Sequence, residues 1–212
     1  MQGERSMENE INVYIKVGGE GKIPVYASQH AAGCDLFATC DMAVRPGETK
    51  IMPLDFNMAM DTEYEAQIRP RSGLSLKTEL RVPNGPGTID SDYRDTVGVL
   101  LQNTYNIANL PYQIAVDPGI LEELYRDYTE TGLLEYLAKD GKPLPAASLA
   151  VSGQKIYLDK LGNPYGTIYI KKGERIAQMV FCEYKRANFI KHPDPRTIGA
   201  DRGGGFGHSG RG

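Results

Sequence analysis

The stretch Gly87-Thr88-Ile89-Asp90-Ser91-Asp92-Tyr93-Arg94 sets a carboxylate, Asp90, between an apolar residue and an aromatic three positions on. A carboxylate flanked in this way can be aimed at a substrate as a general base; its bland alternative is a turn-former or cap. Upstream, Arg71-Ser72-Gly73 combines a cation, a hydroxyl and glycine backbone amides. Phosphate sites are built from these parts, although the tripeptide is common. At the far end, the glycine-saturated stretch from Arg202 to Gly210 offers amides that can cradle phosphates, and Phe206 can stack on a base. By composition alone such a tail reads as a disordered end. Asp35 fits either a carboxylate linked to a metal through water or a simple cap or turn.

These residues need elements that position them. Pro83-Asn84-Gly85-Pro86-Gly87 is a cluster of turn-formers, and Val97-Gly98-Val99-Leu100-Leu101 reads as a buried strand. Asp90 is therefore expected on the flank of a hairpin. Short β-favouring runs recur at 11–17, 51–56, 64–68, 97–101, 167–170 and 176–184, punctuated by 24 Gly and 13 Pro. That rhythm predicts a sandwich or barrel of short strands and excludes a helical bundle there. The pattern changes over 104–164. Asp117-Pro118 predicts an N-cap followed by proline at the first helical position, with Ile120, Leu121, Leu124, Tyr125 and Tyr128 at helical spacing. Gly132 interrupts the helix, and Leu133, Leu134, Tyr136 and Leu137 predict a second short turn before a loop rich in Pro, Ala and Ser.

The expected organisation is a flexible N-terminus over 1–10, a single domain over 11–198 holding the partly helical insertion 104–164, and a Gly-rich C-terminal arm over 199–212. The apolar face of the insertion is expected to cover the parent domain as a lid, with a protein partner as the alternative. A chain of 212 residues can bury one good core. A net charge of -3 gives no basic surface in bulk. This argues against long nucleic-acid tracks and leaves room for a small anionic ligand. Cys34, Cys40 and Cys182 have neither the number nor the spacing of a disulfide framework or zinc site. They predict packing roles in a reducing compartment. The first ten residues carry no apolar core, and no run is long enough to cross a bilayer, so a soluble, cytoplasmic protein without membrane partners is expected. Met7 is an alternative start to Met1.

Five segments together resemble, in order, the conserved motifs of the deoxyuridine triphosphatases (dUTPases): Ala32-Gly33-Cys34-Asp35-Leu36, Arg69-Pro70-Arg71-Ser72-Gly73-Leu74, the Asp90 segment, Gly173-Glu174-Arg175-Ile176-Ala177-Gln178, and the tail from Arg202 to Gly210. The resemblance covers the chain except for the inserted block. It implies an all-β, jelly-roll-like homotrimer that hydrolyses dUTP to dUMP and pyrophosphate with Mg²⁺, keeping uracil out of DNA and supplying dUMP for dTMP synthesis. Asp90 would deprotonate the water that attacks the α-phosphorus. The Tyr93 ring would pack on the deoxyribose and leave no room for a 2′-hydroxyl. Asn84, with groups at Gly87, Thr88 and Ile89, would read uracil, and Gly98 would also belong to the substrate-binding set. Arg71, Ser72 and Gly73 would hold the α- and β-phosphates beside Gln178. Asp35 would reach the metal only through water, while Arg69 and Arg175 could equally form structural ion pairs. From a neighbouring subunit, Arg202 would meet the γ-phosphate, Phe206 the uracil, and Gly207, His208 and Ser209 the phosphate chain.

The chain departs from the family pattern at three places. Asp95 follows Arg94 where the family has glycine, Arg202 stands four residues before Phe206 instead of five, and 104–164 has no counterpart in compact members. Longer phage and prophage members carry extra blocks there. The related dCTP deaminases share the fold, but they place a catalytic glutamate in the strand after the third motif, where this chain has Leu100, and they lack the arm. A regulatory binding protein that presents the insertion to a partner is the alternative from another class.

Overall fold

The computed structural model describes residues 10–141, 153–201 and 203. Arg202, Phe206, Gly207, His208 and Ser209 therefore lie outside the described residues, as does nearly all of the expected N-terminal segment. The chain begins with strands β1 (Val13–Val17), β2 (Val25–Tyr26), β3 (Cys34–Phe37), β4 (Met42–Val44), β5 (Thr49–Pro53), β6 (Phe56–Met60) and β7 (Tyr64–Arg69). A short helix α1 (Ser72–Lys77) leads to β8 (Leu80–Arg81), β9 (Gly87–Ile89) and β10 (Gly98–Asn103). The insertion follows with α2 (Leu110–Val116), α3 (Gly119–Asp127), β11 (Thr129–Gly132), α4 (Leu133–Lys139) and β12 (Lys155–Leu158). Strands β13 (Ile168–Ile170) and β14 (Arg175–Glu183) return to the body.

Every strand pair is antiparallel. A five-stranded sheet in the order β2-β3-β14-β7-β9 faces smaller sheets: β5-β10-β8, β1-β6 and β13-β4. Strands such as β6 and β10 bury every second residue, the alternation of sheets with one face on a core. Those faces meet in one cluster that includes Leu36, Met52, Phe56, Val99, Leu101 and Met179. The body is the all-β, jelly-roll-like architecture expected from the sequence.

Two expectations are corrected. The run 51–56 is not one strand: the chain turns between β5 and β6 at Asp55, whose φ is +52°. Aspartate tolerates that left-handed conformation, and it is held there because Asp55 accepts from the Gly18 amide through its carbonyl (2.7 Å) and from the Glu20 amide through its side chain (2.9 Å). Nor does Asp90 sit on a hairpin. Strand β9 pairs with β7, whereas β10 pairs with β5 and β8 in another sheet. Buried Val97 causes the split: its amide donates to the Phe56 carbonyl (3.0 Å) and its carbonyl accepts from the Leu54 amide (2.8 Å), which draws the chain to the β5–β6 corner.

Helix α3 starts one residue later than expected, with Pro118 at the N-cap position, and Asp117 Oδ1 accepts from the Gly119 amide at 3.0 Å. The insertion also contains α2 and the antiparallel β11–β12 pair, which the apolar spacing did not reveal. Its buried Leu110, Leu124 and Ile156 fall outside the body's core cluster. Tyr165 meets Tyr105 and Tyr128 edge-on at 5.9 and 5.2 Å. These residues form a satellite cluster beside the body's core. Arg45 at the end of β4 ties the insertion down, donating to Asp140 (2.7 Å) and Asn163 (3.0 Å). All three cysteines are free; Cys34 is buried, Cys40 is exposed and Cys182 is intermediate, so the packing role fits Cys34 best. Among the described residues no helix is long and apolar enough to cross a membrane.

Candidate active site

The five-stranded sheet carries two groups of the residues singled out by type and spacing. The first centres on Asp35, in the middle of β3 and only 3% exposed. Its Oδ1 accepts from Arg71 Nε at 3.0 Å and from Gln178 Nε2 at 3.4 Å, and its Oδ2 accepts from Arg175 Nη1 at 3.1 Å. A carboxylate can be buried this deeply only when paired and hydrogen-bonded. Gln178 lies directly opposite Asp35 across the β14–β3 ladder, and a bulge between Arg175 and Ala177 sets Arg175 opposite Phe37. In an unbroken strand, residues three apart point to opposite faces. The bulge inserts the extra residue that turns Arg175 onto the Asp35 face.

Arg71 occupies the N-cap position of α1, whose Leu74 packs against the core. Its Nη1 also donates to the Arg175 carbonyl at 3.4 Å. Ser72 and Gly73 form the exposed first turn, and nothing lies within 4 Å of where a Gly73 Cβ would stand. Arg69 is held differently: its guanidinium donates to Gln67 Oε1 at 2.6 and 3.1 Å, and Gln67 in turn donates to Glu65. Of the two arginines left open by the sequence, Arg69 belongs to a surface network and Arg175 to the Asp35 cluster. Beside Asp35, burial pushes the Cys34 thiol up, and the thiol donates to the Met179 carbonyl at 3.4 Å.

The second group follows the edge strand β9. Gly87 lets the Asn84 amide lie against the strand, since a Cβ there would stand 2.8 Å from Asn84 Nδ2. Thr88 pairs with Gln67 and buried Ile89 with Ala66. Asp90 follows at the exposed end of the strand, and its carboxylate takes no hydrogen bond or ion pair among the described residues. The Asp90 carbonyl accepts from the Tyr93 amide at 3.1 Å, and Tyr93, 40% exposed, donates its hydroxyl to the Thr96 carbonyl at 3.1 Å. Arg94 closes the loop by donating to the Ser91 and Tyr93 carbonyls at 2.6 and 2.9 Å. Asp95 adopts an ordinary negative φ, because Asp55 is the single non-glycine residue with positive φ among the described residues. Its departure from the family glycine therefore brings no backbone strain. Gly98 lies in the other sheet opposite Pro53, where a Cβ would come within 2.9 Å of Ile51 Cγ2, a packing reason for glycine.

The two groups are not joined by any hydrogen bond or ion pair among the described residues. Strands β3 and β9 are separated by β14 and β7, three strand spacings or about 14 Å of sheet. A cavity of about 870 Å³ lies elsewhere, between β1 and β2 with Ile15, Tyr26, Cys34 and Phe181 in its wall, and neither Asp35 nor Asp90 lines it. Among the described residues no cluster holds a resident magnesium site. Guanidinium groups occupy both oxygens of Asp35, and no group of three His, Cys, Asp or Glu suited to a metal exists among the described residues. The residues present do not fit a directly ligated ion.

Residues 19–110 match the dUTPase family model. A deoxyuridine 5'-triphosphate nucleotidohydrolase of Nautilia profundicola is 38% identical over 57% of this chain and 82% of its own length. The enzyme of that name from a Wolbachia strain is 39% identical over 62% of this chain and 90% of its own. The chain belongs to the dUTPase family. Among solved structures, a Staphylococcus bacteriophage 80alpha dUTPase with dUpNHpp aligns at TM-score 0.65 and 22% identity, covering 94% of this chain and 98% of that one. A dUTPase from phage phi11 of S. aureus, described as coordinating a structural Mg(II) ion, aligns at TM-score 0.60 and 18% identity over 86% of this chain and 97% of that one. At these identities the structural likeness shows the fold of this dUTPase-family chain, and the site is argued from its own residues.

Proposed function

We propose that this chain hydrolyses dUTP to dUMP and pyrophosphate, with Asp90 as the base that takes the proton of the attacking water. The observation that carries the reading is the contrast between the two carboxylates. Asp35 is buried and doubly paired with arginine, whereas Asp90 stands exposed at the end of a strand with no hydrogen-bond or ion-pair partner among the described residues. A carboxylate without a cationic partner keeps its lone pairs for a water, and the strand fixes its direction. The Arg71–Arg175 cluster, Ser72, Gly73 and Gln178 supply positive charge and donors for the phosphates, compensating the charge that develops as the α-phosphorus–oxygen bond to pyrophosphate breaks. Tyr93 abuts the sugar and excludes a 2′-hydroxyl, while Asn84 and the β9 backbone read the uracil edge. Magnesium arrives on the triphosphate as part of the substrate.

Asp35 lies on β3 and Asp90 follows β9, strands three spacings or about 14 Å apart in the sheet, and we infer that neighbouring subunits contribute to one site so that one α-phosphate meets both groups. A homotrimer supplies that geometry, with Arg202, Phe206, Gly207, His208 and Ser209 closing over the nucleotide. The test is a panel of dUTP, dCTP, dTTP and UTP with magnesium, following pyrophosphate and ammonia in parallel. Pyrophosphate from dUTP alone supports the reading; ammonia from dCTP would replace it with deamination. Asp90→Asn should lower kcat by about 10²–10⁴-fold without lowering the melting temperature, and normal turnover by this variant would remove the assignment of the base.

A second reading concerns the insertion, whose helices leave Tyr112 and Val116 exposed one turn apart on α2. We infer that this face contacts a protein partner while catalysis proceeds without it. Tyr112→Asp with Val116→Asp should then leave dUTP turnover intact and abolish any pull-down seen with the unaltered chain; a pull-down that persists would discard the face.

A further inference from the structure

Asp35 is the only buried charged residue among the described residues. Its side chain is 5% exposed, those of its partners Arg71 and Arg175 are 22% and 51% exposed, and so the anion lies behind two cations that front the solvent. Arg71 directs Nε at Asp35 and Nη1 at the Arg175 carbonyl, which leaves the outer N–H groups of its planar fork for a ligand. Arg175 shares this face only because of the β14 bulge. Bulges of this kind are built features that re-aim a side chain, and this one re-aims a cation onto a buried anion. Two guanidiniums on one carboxylate leave a net positive charge at the surface of the cluster, suited to a polyphosphate and hostile to a second cation.

We propose that Asp35 is a positioning residue that holds Arg71 and Arg175 together as a preorganised clamp for the pyrophosphate portion of the substrate, and that it does not carry the magnesium ion. Arg175 is then a second phosphate-facing cation beside Arg71. The inference rests on the reading of the chain as a dUTP hydrolase. It concerns the free protein's own ion pairs, so it is testable without metal and without turnover.

The experiment is calorimetric titration of inorganic pyrophosphate into the protein in excess EDTA, for the unaltered chain, Asp35→Asn and Arg175→Lys. A carboxylate that only anchors magnesium is irrelevant in EDTA, and its removal beside two cations would leave pyrophosphate binding unchanged or tighter. The positioning role has the opposite sign: Asp35→Asn binds at least about tenfold more weakly, a loss of about 1.4 kcal/mol, although a negative charge has been taken away. Equal or tighter binding by Asp35→Asn overturns the proposal. Arg175→Lys keeps the charge but loses the fork, and it should bind several-fold more weakly. If Asp35→Asn does not fold, Arg175→Lys decides alone, and unchanged binding refutes the clamp. The magnesium concentration giving half-maximal dUTP turnover should be the same for Asp35→Asn as for the unaltered chain; a tenfold rise would assign Asp35 to the metal. Failure of the unaltered chain both to hydrolyse dUTP and to bind pyrophosphate would instead remove the functional reading, and the proposal with it.

Discussion

Replacing Asn103 with alanine removes one side chain that three segments share. Asn103 ends β10 and is 0% exposed. Its Nδ2 donates to the Val44 carbonyl at 2.9 Å and the Gly166 carbonyl at 2.8 Å, and its Oδ1 accepts from the Tyr105 amide at 2.9 Å. The first bond reaches β4, the second the turn before β13, and the third the first residues of the insertion. Each bond is worth about 1 kcal/mol net, more if its partner is left buried without water, so the three together come to about 3 kcal/mol. For a chain of this size each kcal/mol moves the melting temperature by roughly 2–4 °C, which predicts a fall of roughly 6–12 °C. Scanning calorimetry at a fixed protein concentration measures it, because any assembly would make the midpoint concentration-dependent. Asn103→Asp should fall further: it keeps the acceptor for Tyr105 but buries a charge against two carbonyl oxygens. A melting temperature of Asn103→Ala within about 2 °C of the unaltered protein would refute the idea that this amide fastens the insertion to the body.

Tyr93→Ala should erode discrimination against ribonucleotides. The ring is steadied by its hydroxyl bond to the Thr96 carbonyl, and loss of a steric block of this kind is worth roughly 10–200-fold in the ratio of kcat/KM for dUTP over UTP. An unchanged ratio would show that Tyr93 does not face the sugar. A different readout applies to the insertion, where burial first, with Tyr165 and Tyr128 adding to it, pushes the Tyr105 phenol up to about 12, and burial followed by Glu123 does the same for Tyr128. A folded-state value raised above the ordinary 10.0 means that the folded form holds its proton more tightly. The stability this contributes is complete below about pH 10 and is lost as pH rises towards 12. Tyrosinate absorbance should therefore show a late-titrating fraction, and protease cleavage within the insertion should rise over the same interval. A single titration near pH 10 with no change in cleavage would count against the buried tyrosine cluster.

Much of the scaffold was legible from local patterns, because its causes are local. Alternating burial in β7 follows from apolar residues at every second position, and Asp117 before Pro118 starts α3 through a bond to an amide two residues away. The run 51–56 was misread because it was read through Asp55 as one strand, whereas the turn there depends on Asp55 bonding to the distant Gly18 and Glu20. The hairpin expected around Asp90 fails for a similar reason: turn-formers show where a chain bends but not which sheet it enters, and here Val97 is drawn to Phe56. Strand β11, with Thr129 and Glu130 exposed, has no apolar alternation to reveal it and forms only because β12 returns beside it.

The amino-acid sequence by itself determined the family and the all-β character of the body and supplied the candidate site residues, since motif order, strand periodicity and residue chemistry are properties of the chain in one dimension. Which of those residues meet was decided by the tertiary structure. Asp35, Arg71 and Arg175 are spread over three motifs, and the bulge that turns Arg175 towards Asp35 is a matter of register between β14 and β3. The same folding buried one carboxylate against two cations and left the other, Asp90, exposed at a strand end without a partner among the described residues. Hydrogen bonds and ion pairs depend on ångström separations in space, and such separations between distant residues exist only once the sheets have packed.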